Sequence, residues 1–237
     1  MDQTNGNNKM NVFQKLIGIF FSPAETFKAV DEKPSWIVPL ILMIVGVIVL
    51  QYFIMDIALA DRVKILEARG MDAAQIEAAQ NQSAGTAKIA AAIFGPIGVL
   101  VTWLITAGVL IFVGNTIMGG EAKFKNVFAV VAWTYPVSLL GGILKSFLII
   151  SKNTSIGVTT SLAALLPTPD IGATPSFLYR LLSKFDIFTI WQIVLWTTGL
   201  AVVYKFTTKK SGTLVGIVWG TWIVLSVVLG GLIKMGF

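Results

Sequence analysis

Five apolar runs of membrane-spanning length leave this chain few folds to choose from. They cover residues 37–55, 90–118, 127–150, 187–206 and 214–235. About 20 apolar residues make a helix that crosses the hydrocarbon core. Inside lipid the backbone N–H and C=O groups must bond within the segment, so these runs are expected to be helical. The charge content agrees: 13% of the residues are charged, where a soluble domain carries about 25%. The predicted fold is all-α, a polytopic membrane helix bundle of five transmembrane helices. No internal repeat is evident, and one membrane domain without a soluble partner domain is expected.

The segments between the runs carry their own helix signals. Val12, Phe13, Leu16, Ile17 and Phe20 recur at helical spacing. Ser22-Pro23-Ala24-Glu25 then reads as a helix start, with a capping serine and a proline in the first turn. Two short helices before the first span are therefore expected to lie on the membrane surface or to pack on the bundle. This divides the chain into residues 1–35, a polar tail with interfacial amphipathic helices, and residues 36–237, the five-span domain. Residues 1–11 are polar and do not read as a signal peptide. After the first run, Arg62, Lys64, Glu67 and Arg69 form a solvated extension ended by Gly70, and residues 72–82 read as a separate polar helix capped by Asp72. Residues 175–185 read as an amphipathic helix leading into the fourth span, with Phe177, Leu178, Leu181, Leu182 and Phe185 on one face.

Charge placement gives weak orientation. Nine lysines and arginines fall on each side of the predicted bundle. Lys123/Lys125 and Lys209/Lys210 occupy short connections, which tilts the positive-inside rule towards an inside N-terminus. The net charge of +6 sits mostly beside apolar runs. That pattern fits anionic head groups rather than nucleic acid, since no basic soluble face with aromatic residues is present.

Chemistry is constrained by what is missing. The chain has no cysteine and no histidine, which removes disulfides, thiolate nucleophiles, zinc–cysteine sites and imidazole acid–base catalysis. No HExxH, GxSxG or P-loop pattern occurs. Lys145 and Ser146 are adjacent and so point in different directions on a helix. Lys145 lies near a span end, where its stem can snorkel. No enzyme, cofactor, metal or identifiable small-molecule ligand is expected.

Small residues and prolines carry packing signals instead. Gly216 and Gly220 form a GxxxG pair, with Ser226 and Gly230 in the same arc, and the stripe favours close approach of another helix, most readily one of the same chain. Gly98, Thr102 and Thr106 give span two a similar expected seam. Pro39, Pro96 and Pro136 lie at or within span starts and interiors. A proline removes one helix hydrogen bond and can kink the span. Asn115, Gln51 and Gln192 are the deepest polar residues, and no acid or arginine occupies a span centre. That composition weighs against an ion-coupled carrier.

Asp186 stands out, flanked by Phe185, Ile187, Phe188, Ile190 and Trp191. Its expected role is to cap the fourth span where a surface helix breaks. On a regular helix it shares a face with Thr189 and Thr197, which makes a polar seam facing protein. Phe188, Trp191 and Leu195 would lie opposite, against lipid or another helix.

Three segments, in order, resemble the Yip family, and more closely its bacterial members. They are FFSPAETFKAVDEKPSWIVPL, GGEAKFKNVFAVVAWTYPVSLL and KFDIFTIWQIVLWTTGLAVVYK. The resemblance covers residues 20–229. The candidate structural or interaction residues of the chain are Trp36, Pro39, Tyr135, Pro136, Asp186, Phe188, Trp191, Gly216 and Gly220. The resemblance implies five membrane helices, a cytoplasmic N-terminus and an external C-terminus in a bacterial cytoplasmic membrane. Eukaryotic members act in vesicle trafficking, associate with Rab GTPases and form hetero-oligomers. Their DLYGP motif is absent here, so Rab association is not carried over. The expected function is non-enzymatic: a membrane protein that organises or scaffolds partners in the lipid bilayer, as a homo- or hetero-oligomer. The alternative is a transporter or permeability protein with a path near Pro136, Asn115 and Asp186.

Overall fold

The computed structural model describes residues 10–232, and for residues 82–93, 96 and 230–232 the backbone alone. It is an all-α bundle of five helices long and apolar enough to cross a membrane. In chain order the helices are α1 (Val12–Phe21), α2 (Pro23–Glu32), α3 (Ile37–Ala68), α4 (Ala73–Ile111), α5 (Phe124–Lys152), α6 (Phe177–Leu182), α7 (Ile187–Tyr204) and α8 (Thr208–Leu232). The spans are α3, the second half of α4, α5, α7 and α8.

Local chemistry sets the boundaries. Asn11 and Gln14 form a capping box at the start of α1. Asp72 and Gln75 form another at α4. Gly70 takes φ +80° in the α3–α4 turn, a left-handed conformation that glycine adopts without a Cβ penalty. Two expected boundaries differ. The polar helix after Asp72 does not end near residue 82; it continues into span two as one 39-residue helix, because no proline or glycine break occurs before residue 85. The helix expected over residues 175–185 is six residues long, since the chain must extend at Phe185 and Asp186 to pair with Ser161.

The middle of the bundle is α5. Every residue from Val127 to Thr134 is buried. In the most apolar stretch of α5, 56% of residues are covered by protein, against 11% for α3. A helix buried on all faces reads as apolar on all faces, and the α5 sequence does. Against it pack Trp103, Ala107 and Leu110 of α4 and Leu195 and Leu200 of α7, and α8 joins the same core through Leu214 and Val215, packed chiefly on α7. The backbone of α5 stays helical through Pro136.

The two short N-terminal helices divide the tasks considered for them. α2 packs into the bundle: Thr26, Phe27 and Val30 are all fully buried. A Cβ on Gly199 of α7 would meet the Phe27 ring at 3.0 Å and Val130 at 2.6 Å, so glycine here permits a close α2–α7–α5 junction. Asn126 of α5 donates to the Asp31 carboxylate at 2.6 Å, and the Trp133 indole donates to the Ser35 carbonyl at 2.8 Å. α1 buries Ile19 but leaves Phe13 69% and Phe21 82% exposed. Lys15 donates to the Ala29 carbonyl at 3.1 Å. Burial first, then the charge of Lys33, hold Lys15 below the ordinary lysine range.

On the same side of the bundle, α4 runs on as a π-helical turn, Phe112–Ile117. Asn115 closes the link to α5 by donating to the Ala122 carbonyl at 3.1 Å and accepting from its N–H at 3.3 Å. The Tyr204 ring lies so close to Gly114 and Gly120 that a Cβ at either would overlap it.

Candidate functional site

The side of the bundle opposite α1 and α2 carries a polar network of its own. Two carboxylates organise it. Asp186 is the N-cap of α7 and accepts from the Phe188 N–H at 2.8 Å. Its other oxygen accepts a short hydrogen bond from the Thr160 hydroxyl. The loop that brings Thr160 here is fixed by the pairing of Ser161 with Asp186 and by the Leu162 N–H donating to the Phe185 carbonyl at 3.0 Å. The helix therefore breaks before Asp186 because residues 161–162 compete for the backbone at that point.

Between this loop, α5 and α7 lies a crevice of about 270 Å³. Asp186, Lys145, Ser138, Thr160, Ser183 and Thr189 contribute polar side chains to its lining. Gly141 and Gly142 form the α5 wall, where the Phe188 ring sits within 2.9 Å of a Cβ position on Gly141. Below the crevice, Ser138 donates to Gln192 at 3.3 Å, and Gln192 donates to Thr134 at 3.3 Å. The Trp196 indole donates to the same Thr134 oxygen at 2.8 Å. Thr134 is fully buried and donates to the Val131 carbonyl at 2.7 Å. From Asp186 to Trp196 is about 15 Å along the helix at 1.5 Å per residue. The seam contains Gln192 and Trp196, not the expected Thr197. Thr197 turns towards α8, where Ser211 donates to its carbonyl at 2.7 Å.

The second carboxylate is Asp61, 1% exposed on the extension of α3. It accepts from Lys64 at 2.9 Å, from the Thr154 hydroxyl at 3.0 Å and from the Ser155 hydroxyl at 2.9 Å, as well as from the Ser155 N–H. This donor set suits the ionised acid and ties α3 to the chain leaving α5. Beside the knot, Arg62, Arg69 and Tyr179 line a larger cleft of about 470 Å³. Sequence reading passed over Asp61 because its neighbours are charged and mark a wet surface.

The other singled-out residues are distributed rather than gathered. Trp36 precedes α3 and meets Phe128 edge-on, with centroids 5.6 Å apart. Pro39 is buried in the first turn of α3. Tyr135 lies against Trp103 at 5.1 Å, and Pro136 is buried in α5. Trp191 meets Phe20 of α1 at 5.6 Å. Phe188 and Trp191 thus face protein. Only Asp186 and Phe188 belong to the crevice.

The small-residue seams differ from expectation. A Cβ on Gly216 or Gly220 would meet nothing within 4 Å, so no helix of the described chain packs against the pair. Gly98 is equally open and Thr102 is exposed, which places that part of span two at the surface. Gly230, Lys88 and Lys234 lie outside the described side chains. Among the described residues no group of three or more acids could hold a metal ion.

A family model described as the Yip1 domain matches residues 17–232. The membrane protein YknW of Bacillus subtilis (strain 168) is 26% identical over 221 residues, which covers 91% of this chain and 89% of that protein. No solved structure gives a significant match.

Proposed function

From the premise that the chain belongs to the Yip1 domain family, we propose that it is a non-enzymatic organiser of membrane protein partners, acting through helix packing in the bilayer. The observation that carries this reading is the open face of α8. Gly216 and Gly220 keep the backbone bare where nothing of the described chain lies within 4 Å. A GxxxG pair gives another helix close van der Waals approach. An intramolecular helix would have filled the space. The trafficking role of eukaryotic family members supports a partner-organising function by analogy. A cytoplasmic N-terminus is part of the same proposal, and protease access to residues 153–176 in sealed vesicles would check it.

The transport alternative gains little support. Below Ser138 the polar groups of the seam bond to one another, so their hydrogen-bonding capacity is spent inside the bundle rather than on a path.

Gly216→Leu and Gly220→Leu test the reading. Both are expected to accumulate and melt like the parent, because the added side chains enter open space. Both should reduce the size of the complex that the parent forms in mild detergent. A parent that runs as a lone monomer in several detergents and in cross-linked membranes would overturn the proposal. So would leucine variants whose complex is unchanged.

A further inference from the structure

The crevice at Asp186 contains an acid and a base that do not satisfy each other. Among the described residues the one ion pair is Lys64–Asp61. Lys145 lines the crevice and makes no hydrogen bond or ion pair among the described residues, whereas Asp186 accepts from Phe188 and Thr160 and retains acceptor capacity. On the same walls the Thr189 hydroxyl makes no hydrogen bond among the described residues, whereas Ser138 and Ser183 already donate to Gln192 and to the Arg180 carbonyl.

Its place matters as much as its chemistry. Lys145 is seven residues before the end of α5 at Lys152, about 10 Å along the helix. Asp186 begins the fourth span. Both therefore lie near the level where lipid head groups meet the bundle. The helices that wall the crevice expose Leu140 and Leu144 of α5 and Ile190 of α7 along their spans, as lipid-facing residues do.

We propose that this crevice seats the head group of an aminophospholipid, with the phosphate on Lys145 and the Thr189 hydroxyl and the primary ammonium on Asp186. A purely anionic ligand would satisfy Lys145 but face the Asp186 carboxylate. A purely cationic one would face the reverse conflict. A ligand carrying both charges resolves the two together. A primary ammonium has N–H groups for a carboxylate and hydroxyls. A quaternary ammonium does not, and it favours a cage of aromatic faces, of which Phe188 supplies one. The volume of about 270 Å³ suits a head group with its acyl chains left in the bilayer.

The test is native mass spectrometry of the full chain, extracted in mild detergent from vesicles of equal parts phosphatidylethanolamine, phosphatidylglycerol and phosphatidylcholine. Retained phosphatidylethanolamine should exceed either other lipid by roughly tenfold, a difference of about 1.4 kcal/mol. Lys145→Gln should abolish the preference. Asp186→Asn, which keeps a capping oxygen, should do the same, whereas Lys152→Gln at the exposed end of α5 should not. Lys145→Gln carries the test alone if the Asp186 variant folds poorly. Equal retention of the three lipids, or a preference that survives Lys145→Gln, overturns the proposal. Retention of phosphatidylglycerol that depends on Lys145 also overturns it, as does displacement of the lipid by an equal concentration of soluble phosphoethanolamine.

Discussion

Removing the Asp61 carboxylate leaves the Ser155 N–H and the hydroxyls of Thr154 and Ser155 without their acceptor. An unsatisfied buried donor costs about 1–3 kcal/mol. Because Thr154 and Ser155 are half-buried, water can recover part of this. Asp61→Ala is expected to destabilise the folded protein by about 3 kcal/mol, visible as a lower melting temperature in detergent. Lys64→Ala should cost less than about 1 kcal/mol, because its ammonium is largely exposed and the pair is local. Equal losses in the two variants would mean that the ion pair, not the loop anchor, matters. The two acids also differ in how visible they are in the sequence. Asp186 bonds the N–H two residues on, so a local pattern reveals it. Asp61 bonds partners 93 and 94 residues away, and nothing near it in the sequence marks them.

Glycines that look alike in the sequence separate sharply at the level of helix packing. A Cβ on Gly199 would strike Val130 and the Phe27 ring, whereas one on Gly108 would meet nothing within 4 Å. Gly199→Ala should therefore loosen α2 from α5 and α7, at an overpacking cost of about 1–3 kcal/mol. Gly108→Ala should be neutral or stabilising by up to about 1 kcal/mol, from helix propensity alone. Protease cleavage between α2 and α3 reads the first effect and melting temperature the second. Faster cleavage in Gly108→Ala, or none in Gly199→Ala, would contradict the packing. Length and hydropathy make all five spans legible in the sequence. They could not show which helix is central, because α3 and α5 are both apolar runs and only their neighbours distinguish them. They also could not place the end of α6, which stops at Leu182 because Phe185 and Asp186 extend to pair with residues 161 and 162.

For the molecule as a whole, α2 is part of the core. Phe27 and Val30 are fully buried against the bundle, although α2 alone reads as a polar surface helix. Deleting residues 10–32 should expose the apolar faces around Val130 and Gly199, and yield aggregated rather than monodisperse protein on size-exclusion chromatography. A deletion that runs and melts like the full chain would place the core elsewhere. Which of the two short helices joins the core was not legible, because the burial of α2 depends on a glycine 172 positions beyond Phe27.

The first span has a different relation to its surroundings. α3 has 32 residues, about 48 Å at 1.5 Å per residue, yet it is the span least covered by protein. It buries Pro39 and Met43 near one end and Asp61 near the other. Between them one strip of the helix lies on α5, with Leu139 against Gly46 and Leu50 against Gly142, and most of the remaining surface is exposed. A long rod held along one strip and bare on its other faces must answer to bilayer thickness. In a thinner membrane the apolar run meets its boundary sooner, and mismatch is relieved by tilt. Tilt would pull on the Asp61 anchor and, through Thr154 and Ser155, on the loop that closes over Asp186. The thickness of the membrane would thereby become a force on the polar end of the bundle.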